Sequence, residues 1–144
     1  MLVIREMAAK DVEAASRIES EAFSMPWSAK DFLEMVEADY AYYYVAELDG
    51  VIAGCCGIRN IAGDGEITNV VVAAGYRKKG IGRKLMEYML ERAGENGIGD
   101  CTLEVRVSNQ PAIRLYESLG FKSEGVRPDF YEKPREDALI MWKR

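Results

Sequence analysis

The sequence predicts a three-layer α/β or α+β domain built on one mixed sheet. Three observations point to that class. Strand-like segments joined by a hairpin turn fill much of the first half, and Asp49-Gly50 is the clearest turn signal. A long amphipathic helix then lies between two further strand-like segments, which predicts a parallel pair with a crossover. The 144 residues, 49% hydrophobic and 30% charged, suit a single domain over 1–144 with a hydrophobic core.

The first half of the chain predicts four strands and two helices. The strand segments alternate or are rich in Tyr and Val, and they cover residues 2–7, 41–48, 51–59 and 66–72. The helices are expected over about 11–23 and 29–37, separated by Met25-Pro26-Trp27. Asp11 is the expected cap of the first helix, and Ser28 with Asp31 has the spacing of a capping box for the second. Gly63-Asp64-Gly65 is the expected turn before the fourth strand.

The second half predicts a long helix, a strand, a short helix and two closing strands. Apolar residues recur every four positions from 81 to 93, which indicates an amphipathic helix over about 80–96. Residues 101–107 alternate between apolar and polar, as a strand does. Asn109 is the expected cap of the next helix. The closing strands are expected near 121–126 and 137–142.

The composition excludes several classes of site. The chain has no histidine, which excludes Ser-His-Asp and Cys-His catalysis in their usual form. Cys55 and Cys56 are adjacent and Cys101 stands alone, so we expect no metal site and reduced thiols. A net charge of −5 disfavours broad nucleic-acid binding. No apolar run approaches the ~20 residues of a membrane span, and no secretory leader is evident, so we expect a cytoplasmic protein without membrane contact.

The sharpest local motif is the basic segment Arg77-Lys78-Lys79-Gly80-Ile81-Gly82-Arg83-Lys84. It holds five of the 19 basic residues, follows a predicted strand and opens the long predicted helix. Free N–H groups in the first turn of a helix attract anions, and glycines let the backbone approach a bulky phosphate. The segment therefore predicts a phosphate or pyrophosphate cradle. It matches neither a Walker loop nor a dinucleotide fingerprint, which needs a third glycine where Leu85 stands.

Motifs along almost the whole chain accompany this segment. They are Pro26-Trp27-Ser28, Leu103-Glu104-Val105-Arg106, Ser108-Asn109, Leu115-Tyr116-Glu117-Ser118-Leu119-Gly120-Phe121 and Glu136-Asp137-Ala138. With them the chain resembles the GNAT acyltransferases, and more closely their RimI branch of ribosomal-protein-alanine N-acetyltransferases. The resemblance implies the GNAT fold, a twisted, mostly antiparallel sheet of about seven strands that is splayed between its central parallel strands and flanked by about four helices. One departure is Ala73-Ala74, where relatives often carry Asp-Pro.

The resemblance also implies acetyl-CoA as the acetyl donor. The backbone of Val70, Val71 and Val72 would then bind the pantetheine arm and the thioester carbonyl as an added strand does. The pyrophosphate would be held by Arg77, Lys78, Lys79, Gly80, Ile81, Gly82 and Arg83. Asn109 would contact the donor from the other side of the splay. The alternatives without a ligand are that the valines only pack in the core and that Asn109 only caps its helix.

Acetyl transfer to an amine needs a neutral amine, a stabilised oxyanion and a proton for the leaving thiolate. Glu104 lies mid-strand on the polar face and matches the position of the family's base, which we expect to act through water. Tyr116 matches the position of the family's acid. Its phenol, of pKa ~10, is protonated at pH 7 and can give a proton to a departing thiolate of pKa ~8.5. A backbone N–H at Val71 or Val72 is the expected oxyanion donor. The structural alternatives are an ordinary polar strand residue for Glu104 and a core aromatic for Tyr116.

The expected acceptor is a protein α-amine. An α-amine of pKa ~8 is already about a tenth neutral at pH 7, whereas a lysine of pKa ~10.4 is almost wholly charged. The resemblance implies a ribosomal protein beginning with alanine, bound in a groove lined by Tyr131, with Phe130-Tyr131 between the last two strands. Tyr42-Tyr43-Tyr44 is more typical of strand packing than of a ligand cage. Two alternatives stay open, a small-molecule amine as acceptor and a non-catalytic CoA-binding module.

Overall fold

Seven strands form one sheet and four α-helices cover it, in a computed structural model that describes all 144 residues. The strands are β1 (Leu2–Glu6), β2 (Ala41–Leu48), β3 (Val51–Ile61), β4 (Asp64–Val72), β5 (Cys101–Arg106), β6 (Lys122–Glu132) and β7 (Arg135–Lys143). The helices are α1 (Val12–Ala22), α2 (Ala29–Glu37), α3 (Ile81–Glu95) and α4 (Gln110–Ser118). The order across the sheet is β1-β2-β3-β4-β5-β7-β6, and only β4 and β5 run parallel. This confirms the predicted fold class.

Helices lie on both faces of the sheet, which gives the three layers expected. On one face Ile18 of α1 and Phe32 of α2 pack against Val45 and Cys55. On the other face α3 and α4 bury a larger apolar cluster against the sheet, and its α3 members are Ile81, Leu85, Met86, Met89 and Ala93. These are the apolar positions of the predicted helical pattern, so burial of one stripe places α3 on the sheet. None of the four helices is long and apolar enough to cross a membrane.

Local capping chemistry fixes the start of α2, as predicted. The backbone N–H of Asp31 donates to Ser28 Oγ at 3.1 Å, and the N–H of Ser28 donates to Asp31 Oδ2 at 2.9 Å. Asp11 behaves differently from the prediction. A single 3-10 turn precedes α1, and the Asp11 carboxylate accepts from the Ala8 N–H at 2.8 Å and from Arg5. Asp11 holds the predicted N-cap position of α1, but its side chain makes no bond to the helix and instead joins β1 to the turn before it.

The turn before β4 lies earlier than the sequence predicts. Ala62 and Gly63 take the positive φ angles of the turn, and Asp64 and Gly65 already belong to the strand. A Cβ at Gly65 would come within 2.6 Å of Ile58 Cδ1. This glycine is therefore required by close packing inside the sheet, and its resemblance to a turn residue was misleading.

The sixth strand is the largest correction. It runs over Lys122–Glu132, six residues beyond the predicted end at 126, so Phe130 and Tyr131 lie inside it and not between strands. Almost every residue of β6 is exposed, because β6 is an edge strand that pairs only with β7. An exposed edge needs no apolar alternation, so the sequence pattern that marks a strand is missing here.

A β-bulge in β4 changes the direction of its side chains. Gly57 of β3 pairs with Asn69 and Ile58 pairs with Ile67, so Thr68 is an extra residue in β4. Ile67 therefore faces α3, whereas Asn69 and Val71 face α1 and α2. In a regular strand Ile67 and Asn69 would share one face.

Candidate functional site

The parallel strands β4 and β5 are paired at one end only and separate beyond it. Pairing joins Gly65 to Cys101 and Glu66 to Thr102 and stops there. The other edge of β4 stays paired with β3 as far as Val72. The edge of β4 that faces β5 is thus free of a strand partner along Val70, Val71 and Val72. An extended ligand arm can hydrogen-bond to such an edge as an additional strand does.

The start of α3 has no side-chain cap and carries the glycine-basic segment. Gly80 is the N-cap residue at φ 78°, in the left-handed region that favours glycine. Lys84 N donates to Gly80 O at 3.1 Å and is the first amide of the helix ladder. The N–H groups of the three residues before Lys84 are therefore directed out of the helix, together with the positive end of its dipole. This is the arrangement expected of an anion-binding cradle.

The basic side chains of the segment divide into two groups. Arg77 Nε donates to the Val72 carbonyl at 3.1 Å, and Arg83 donates to Ser118 Oγ of α4 and lies 3.7 Å from Glu87. These two arginines hold the segment in place. The three lysines form no salt bridge, and they are Lys78, Lys79 and Lys84. They are exposed and available to an anionic ligand.

Gly82 joins the cradle to both walls of the gap. A methyl group at this position would lie 3.7 Å from Val72 Cγ2 and 3.7 Å from Leu115 Cδ2. The cradle, the end of the valine strand and α4 therefore meet at one place. Asn109 begins α4 on the β5 side of the gap, and its Oδ1 accepts from Ala112 N at 3.3 Å. The predicted cap is confirmed, and only the Oδ1 of Asn109 is used by it.

Glu104 projects from β5 on the face opposite the apolar residues of that strand. Its Oε2 is buried and lies 3.1 Å from Arg127 Nη1 of β6. The guanidinium N–H is not aligned with that oxygen, so the contact is an ion pair and Oε2 accepts no hydrogen bond. Glu104 therefore keeps an acceptor position while a nearby cation balances its charge.

Tyr131 lies in the electrostatic neighbourhood of both Glu104 and Tyr116. Burial, and then the neighbouring Tyr131, raises the pKa of Tyr116 to about 12. Burial, and then the charge of Glu104, raises the pKa of Tyr131 to about 12. Tyr116 is 8% exposed and its ring packs edge-on against Phe121. Both phenols carry their protons at neutral pH and are hydrogen-bond donors.

Arg106 and Glu136 hold Tyr131 in place on the β6–β7 hairpin. The sequence did not predict a role for these two charged residues. The guanidinium of Arg106 stacks on the Tyr131 ring at 4.3 Å and lies 3.2 Å from Glu136 Oε1. Glu136 Oε2 in turn accepts from Ser108 N at 2.8 Å. The Ser108 side chain, and after it this backbone bond and Arg106, lowers the pKa of Glu136. Both residues lie in the motifs that carry the family resemblance, and this was the only sequence signal that could have pointed to them. Arg127 lies in the stretch that showed no strand pattern.

The structure thus brings the predicted residues together in two groups around one gap. The valine strand and the cradle form the first group and meet α4 at Gly82. Glu104, Tyr116 and Tyr131 form the second, in which Tyr131 is the neighbour of both other residues. Tyr43 and Tyr44 are buried, and Tyr44 packs against Tyr88 of α3 at 5.2 Å. The tyrosine run therefore does not form an exposed cage.

Comparison with known proteins identifies relatives over nearly the full chain. A Bacillus subtilis (strain 168) protein, provisionally named as a ribosomal protein bS18-alanine N-acetyltransferase, is 39% identical over 140 residues, covering 96% of this chain and 93% of the relative. The enzyme of that name from Escherichia coli (strain K12) is 34% identical over 143 residues, covering 98% and 96%. The crystal structure of the ribosomal-protein-S18-alanine N-acetyltransferase from Escherichia coli superposes with a TM-score of 0.90 at 33% identity, covering 99% and 92%.

The family profile described as Acetyltransferase (GNAT) family matches residues 12–121, from the first residue of α1 to the residue before β6. The match includes the valine strand, the cradle, Glu104 and Tyr116. Together with the open gap and the full-length relatives, it confirms the family that the sequence motifs indicated. The chain belongs to the GNAT family of acetyl-CoA-dependent N-acetyltransferases.

Proposed function

We propose that this protein transfers the acetyl group of acetyl-CoA to the N-terminal α-amine of a protein, and that its acceptor is a ribosomal protein beginning with alanine. The observation that carries the proposal is the pairing of two features across one gap. An open strand edge with an uncapped, basic helix start lies on one side. The Glu104 carboxylate lies on the other with the protonated phenol of Tyr131 near it, and α4 carries the protonated phenol of Tyr116. The proposal treats residues 1–144 as one catalytic domain acting in the cytoplasm.

The residues of the first group fit the donor. Acetyl-CoA supplies an activated acyl group, a thioester at the end of a long pantetheine arm. The free edge of Val70–Val72 would bind that arm by backbone hydrogen bonds, with the N–H of Val71 or Val72 directed at the thioester oxygen. The amides that follow Gly80, with Lys78 and Lys79, would hold the pyrophosphate. Arg77 and Arg83, which bind Val72 and Ser118, would keep the cradle in shape.

Glu104 would act as the base on the acceptor amine. The amine nitrogen attacks the thioester carbonyl carbon, a C–N bond forms, and the C–S bond breaks. The amine proton passes to the Glu104 carboxylate through a water molecule. The unused acceptor position at Oε2 and the ion pair with Arg127 support this role, because they leave a carboxylate oxygen free to accept a proton.

Tyr116 would act on the leaving group. A phenol whose pKa is about 12 keeps its proton at neutral pH and donates a hydrogen bond to the sulfur as negative charge develops there. The proton reaches the sulfur as the thiol of CoA forms, and proton exchange with water then restores the Tyr116 phenol and the Glu104 carboxylate. The buried position of Tyr116, 8% exposed, favours this role because a hydrogen bond to a developing charge is stronger in a medium from which water is excluded.

The acceptor side favours a peptide. Tyr131 is held at the β6–β7 hairpin by the Arg106 stack, so a rigid aromatic edge borders the gap near Glu104. A single carboxylate suffices for an α-amine, since a tenth of an amine of pKa ~8 is already neutral at pH 7. The names of the Escherichia coli and Bacillus subtilis relatives point to alanine at the first position of the peptide.

Mass spectrometry tests the acceptor directly. The protein is incubated with acetyl-CoA and with peptides beginning with Ala, Ser or Met, beside polyamines, aminoglycosides and free amino acids. We expect acetylation of the α-amine of the Ala peptide at the highest kcat/KM. An Ala peptide with a blocked N-terminus and an internal lysine is the control and should stay unmodified. Acetylation of small amines alone would overturn the peptide proposal, and CoA binding without any product would favour a binding module.

A further inference from the structure

A bulge in β6 places Phe130 beside Arg127. The register of β6 on β7 shifts between Arg127 and Tyr131, where β6 has two residues more than β7. Asp129 takes a positive φ of 52° in this bulge, and its N–H donates to Asp137 Oδ1 at 2.9 Å. In a regular strand, residues three positions apart lie on opposite faces. The bulge brings these two together, and the Arg127 guanidinium lies 5.3 Å from the centre of the Phe130 ring.

The same arginine reaches Glu104 across β7. Glu104 pairs with Ile140 and Arg127 pairs with Ala138, two positions further along β7, so both side chains project from one face of the sheet. Arg127 Nη1 lies 3.1 Å from Glu104 Oε2. A phenyl ring has no oxygen that could accept from the guanidinium, so Glu104 is the anionic partner of this arginine.

Arg127 is held more loosely than the other arginine on this face. Arg106 donates to the Pro134 carbonyl at 2.9 Å and to Glu136 Oε1 at 3.2 Å. Arg127 makes no aligned hydrogen bond to its carboxylate, and its side chain is 55% exposed. Arg106 is therefore fixed in the fold, whereas Arg127 brings a positive charge to Glu104 and leaves the acceptor position at Oε2 unused.

The net charge at this place depends on the pair of Glu104 and Arg127. Tyr131 links the pair to three further titratable side chains, and these are Arg106, Glu136 and Tyr116. Arg106 and Glu136 form a salt bridge, so their charges cancel. The two phenols are neutral, because burial raises the pKa of each to about 12. Removal of the Arg127 guanidinium would therefore leave one uncompensated negative charge at the base.

A carboxylate without a cationic partner would retain the acceptor in its unreactive form. It attracts an ammonium ion, and this attraction raises the pKa of the amine and reduces its neutral, nucleophilic fraction. An amine bound to Glu104 Oε2 through one water lies at most about 9 Å from Arg127 Nη1, since each hydrogen bond adds ~2.9 Å to the 3.1 Å contact. That distance is about one Debye length, so the guanidinium opposes the attraction.

We propose that Arg127 is a specificity-determining residue, which balances the charge of Glu104 so that the site receives a neutral amine and does not retain an ammonium ion. The inference rests on the proposed function, because it concerns the base of the same reaction. It favours an α-amine, about a tenth neutral at pH 7, over lysine side chains and polyamines, which are almost wholly charged. The Phe130 ring holds the guanidinium near Glu104 by cation–π attraction.

Steady-state kinetics with the Ala peptide test the proposal through kcat and KM separately. Arg127→Gln should bind the ammonium form unproductively, so at pH 7 both kcat and KM should fall by roughly threefold to tenfold, and kcat/KM should stay within about twofold. The loss of kcat should shrink toward pH 9, where the amine is mostly neutral. A fall in kcat/KM with an unchanged KM would overturn the proposal, because it would show that the base itself was damaged.

Two further variants separate charge from general effects. Arg127→Lys keeps the positive charge and should restore the wild-type kcat and KM within about twofold. Arg92→Gln removes an arginine of α3 that also pairs with a glutamate and lies over a tyrosine ring, and it should change neither constant. The same kinetic change in Arg127→Lys as in Arg127→Gln would refute a role for the charge.

Calorimetry on the CoA-loaded protein gives a readout without turnover. Arg127→Gln should bind spermidine at pH 7, and the Ala peptide at pH 6, at least threefold more tightly than the wild-type protein. An isobutyryl peptide, with a methyl group in place of the amine, should bind both proteins equally. Equal affinity of the two proteins for both charged ligands would overturn the inference. Failure of the wild-type protein to acetylate any peptide would refute the proposed function, while spermidine binding would still decide on Arg127.

Discussion

Two buried carboxylate oxygens lack a hydrogen-bond partner, and they belong to Glu104 and Glu19. Their surroundings differ in one respect that decides what each can do. Glu104 has the Arg127 guanidinium 3.1 Å away, whereas no cation pairs with Glu19. Similar side chains in unlike environments commonly have separate tasks. Proton acceptance is therefore proposed for Glu104 alone, since Glu19 has no cation to hold its charge.

Removal of either chemical group of the second cluster should reduce turnover and spare donor binding. We expect Glu104→Gln and Tyr116→Phe each to lower kcat roughly 100-fold or more, because each loses one proton-transfer partner. CoA affinity by calorimetry should stay within about twofold, since neither side chain belongs to the cradle.

Matched substitutions control for general damage. Glu132→Gln changes an exposed glutamate of β6, and Tyr40→Phe changes an exposed tyrosine, and both should keep full turnover. Wild-type rates from Glu104→Gln or from Tyr116→Phe would remove that residue from the mechanism.

At the scale of the element, α3 has two functions. Its apolar stripe anchors the helix on the sheet, while its first turn is left uncapped and faces solvent. A helix start without a side-chain cap lacks about 1 kcal/mol of stabilisation. Three unpaired lysines lie near this uncapped start. The segment leading into it forms a single 3-10 turn over Ala74–Tyr76, and Arg77 ties it to Val72. Alanines in place of Asp-Pro therefore still permit an ordered approach to the cradle.

A methyl group at Gly82 should separate binding from folding. The site has room for it, with the nearest atoms at 3.7 Å, and alanine favours a helix over glycine by about 1 kcal/mol. Gly82→Ala should therefore keep or raise the free energy of unfolding, yet weaken CoA binding at least tenfold by obstructing the pyrophosphate. Gly94→Ala, in the same helix and with open space around it, should gain stability and bind CoA normally.

Binding of CoA by Gly82→Ala with unchanged affinity would place the pyrophosphate elsewhere. Gly80→Val should also lose binding, but it adds strain at φ 78°, so its result is interpretable only beside a measured stability.

At the scale of the whole molecule, the buried charge of Glu19 makes stability depend on pH. The pKa of Glu19 is about 7 in the fold against 4.5 in the unfolded chain. A raised carboxyl pKa means that the stabilising contribution is complete below pH 4.5 and is lost as pH rises through 7. The loss amounts to on the order of 3 kcal/mol, a sizeable part of the ~5–15 kcal/mol that usually holds a domain together.

Glu19→Gln should therefore be more stable than the wild-type protein at high pH. We expect the difference in unfolding free energy, measured with urea, to rise between pH 4.5 and 8 by roughly 3 kcal/mol and to be flat below pH 4.5. Glu21→Gln should show no such trend. A difference that does not change with pH would contradict burial of a charged Glu19.

Features set by neighbours in the chain could be predicted from the sequence, and features set by distant contacts could not. The Ser28–Asp31 box and the Asn109 cap were predicted because both partners lie within three residues. Asp11 holds the predicted cap position, but its side chain makes no cap bond because Arg5 of a separate strand binds its carboxylate. Gly65 looked like a turn residue because the atoms that require a glycine there belong to other parts of the sheet.

The same distinction holds for the site. Glu104 and Tyr116 were found through motifs, but their surroundings, Arg127 and the Arg106 stack, depend on β6 and the β6–β7 hairpin. The hydrogen bond between Asn69 and Glu19 joins residues that are 50 positions apart. It depends on the β4 bulge, which leaves no local signature in the sequence. Physical contacts between remote segments were therefore the part that only the folded structure could supply.

The incomplete pairing of β4 with β5 has a mechanical meaning. The sheet consists of a four-stranded part, β1 to β4, and a three-stranded part, β5, β7 and β6. Strand pairing joins the two parts only at Gly65 with Cys101 and at Glu66 with Thr102. Beyond Glu66 and Thr102 no strand pairing joins the two parts of the sheet. A ligand that hydrogen-bonds to β4 and also contacts α4 would join the two parts of the sheet. Its binding free energy would therefore add to the free energy of unfolding of the whole domain.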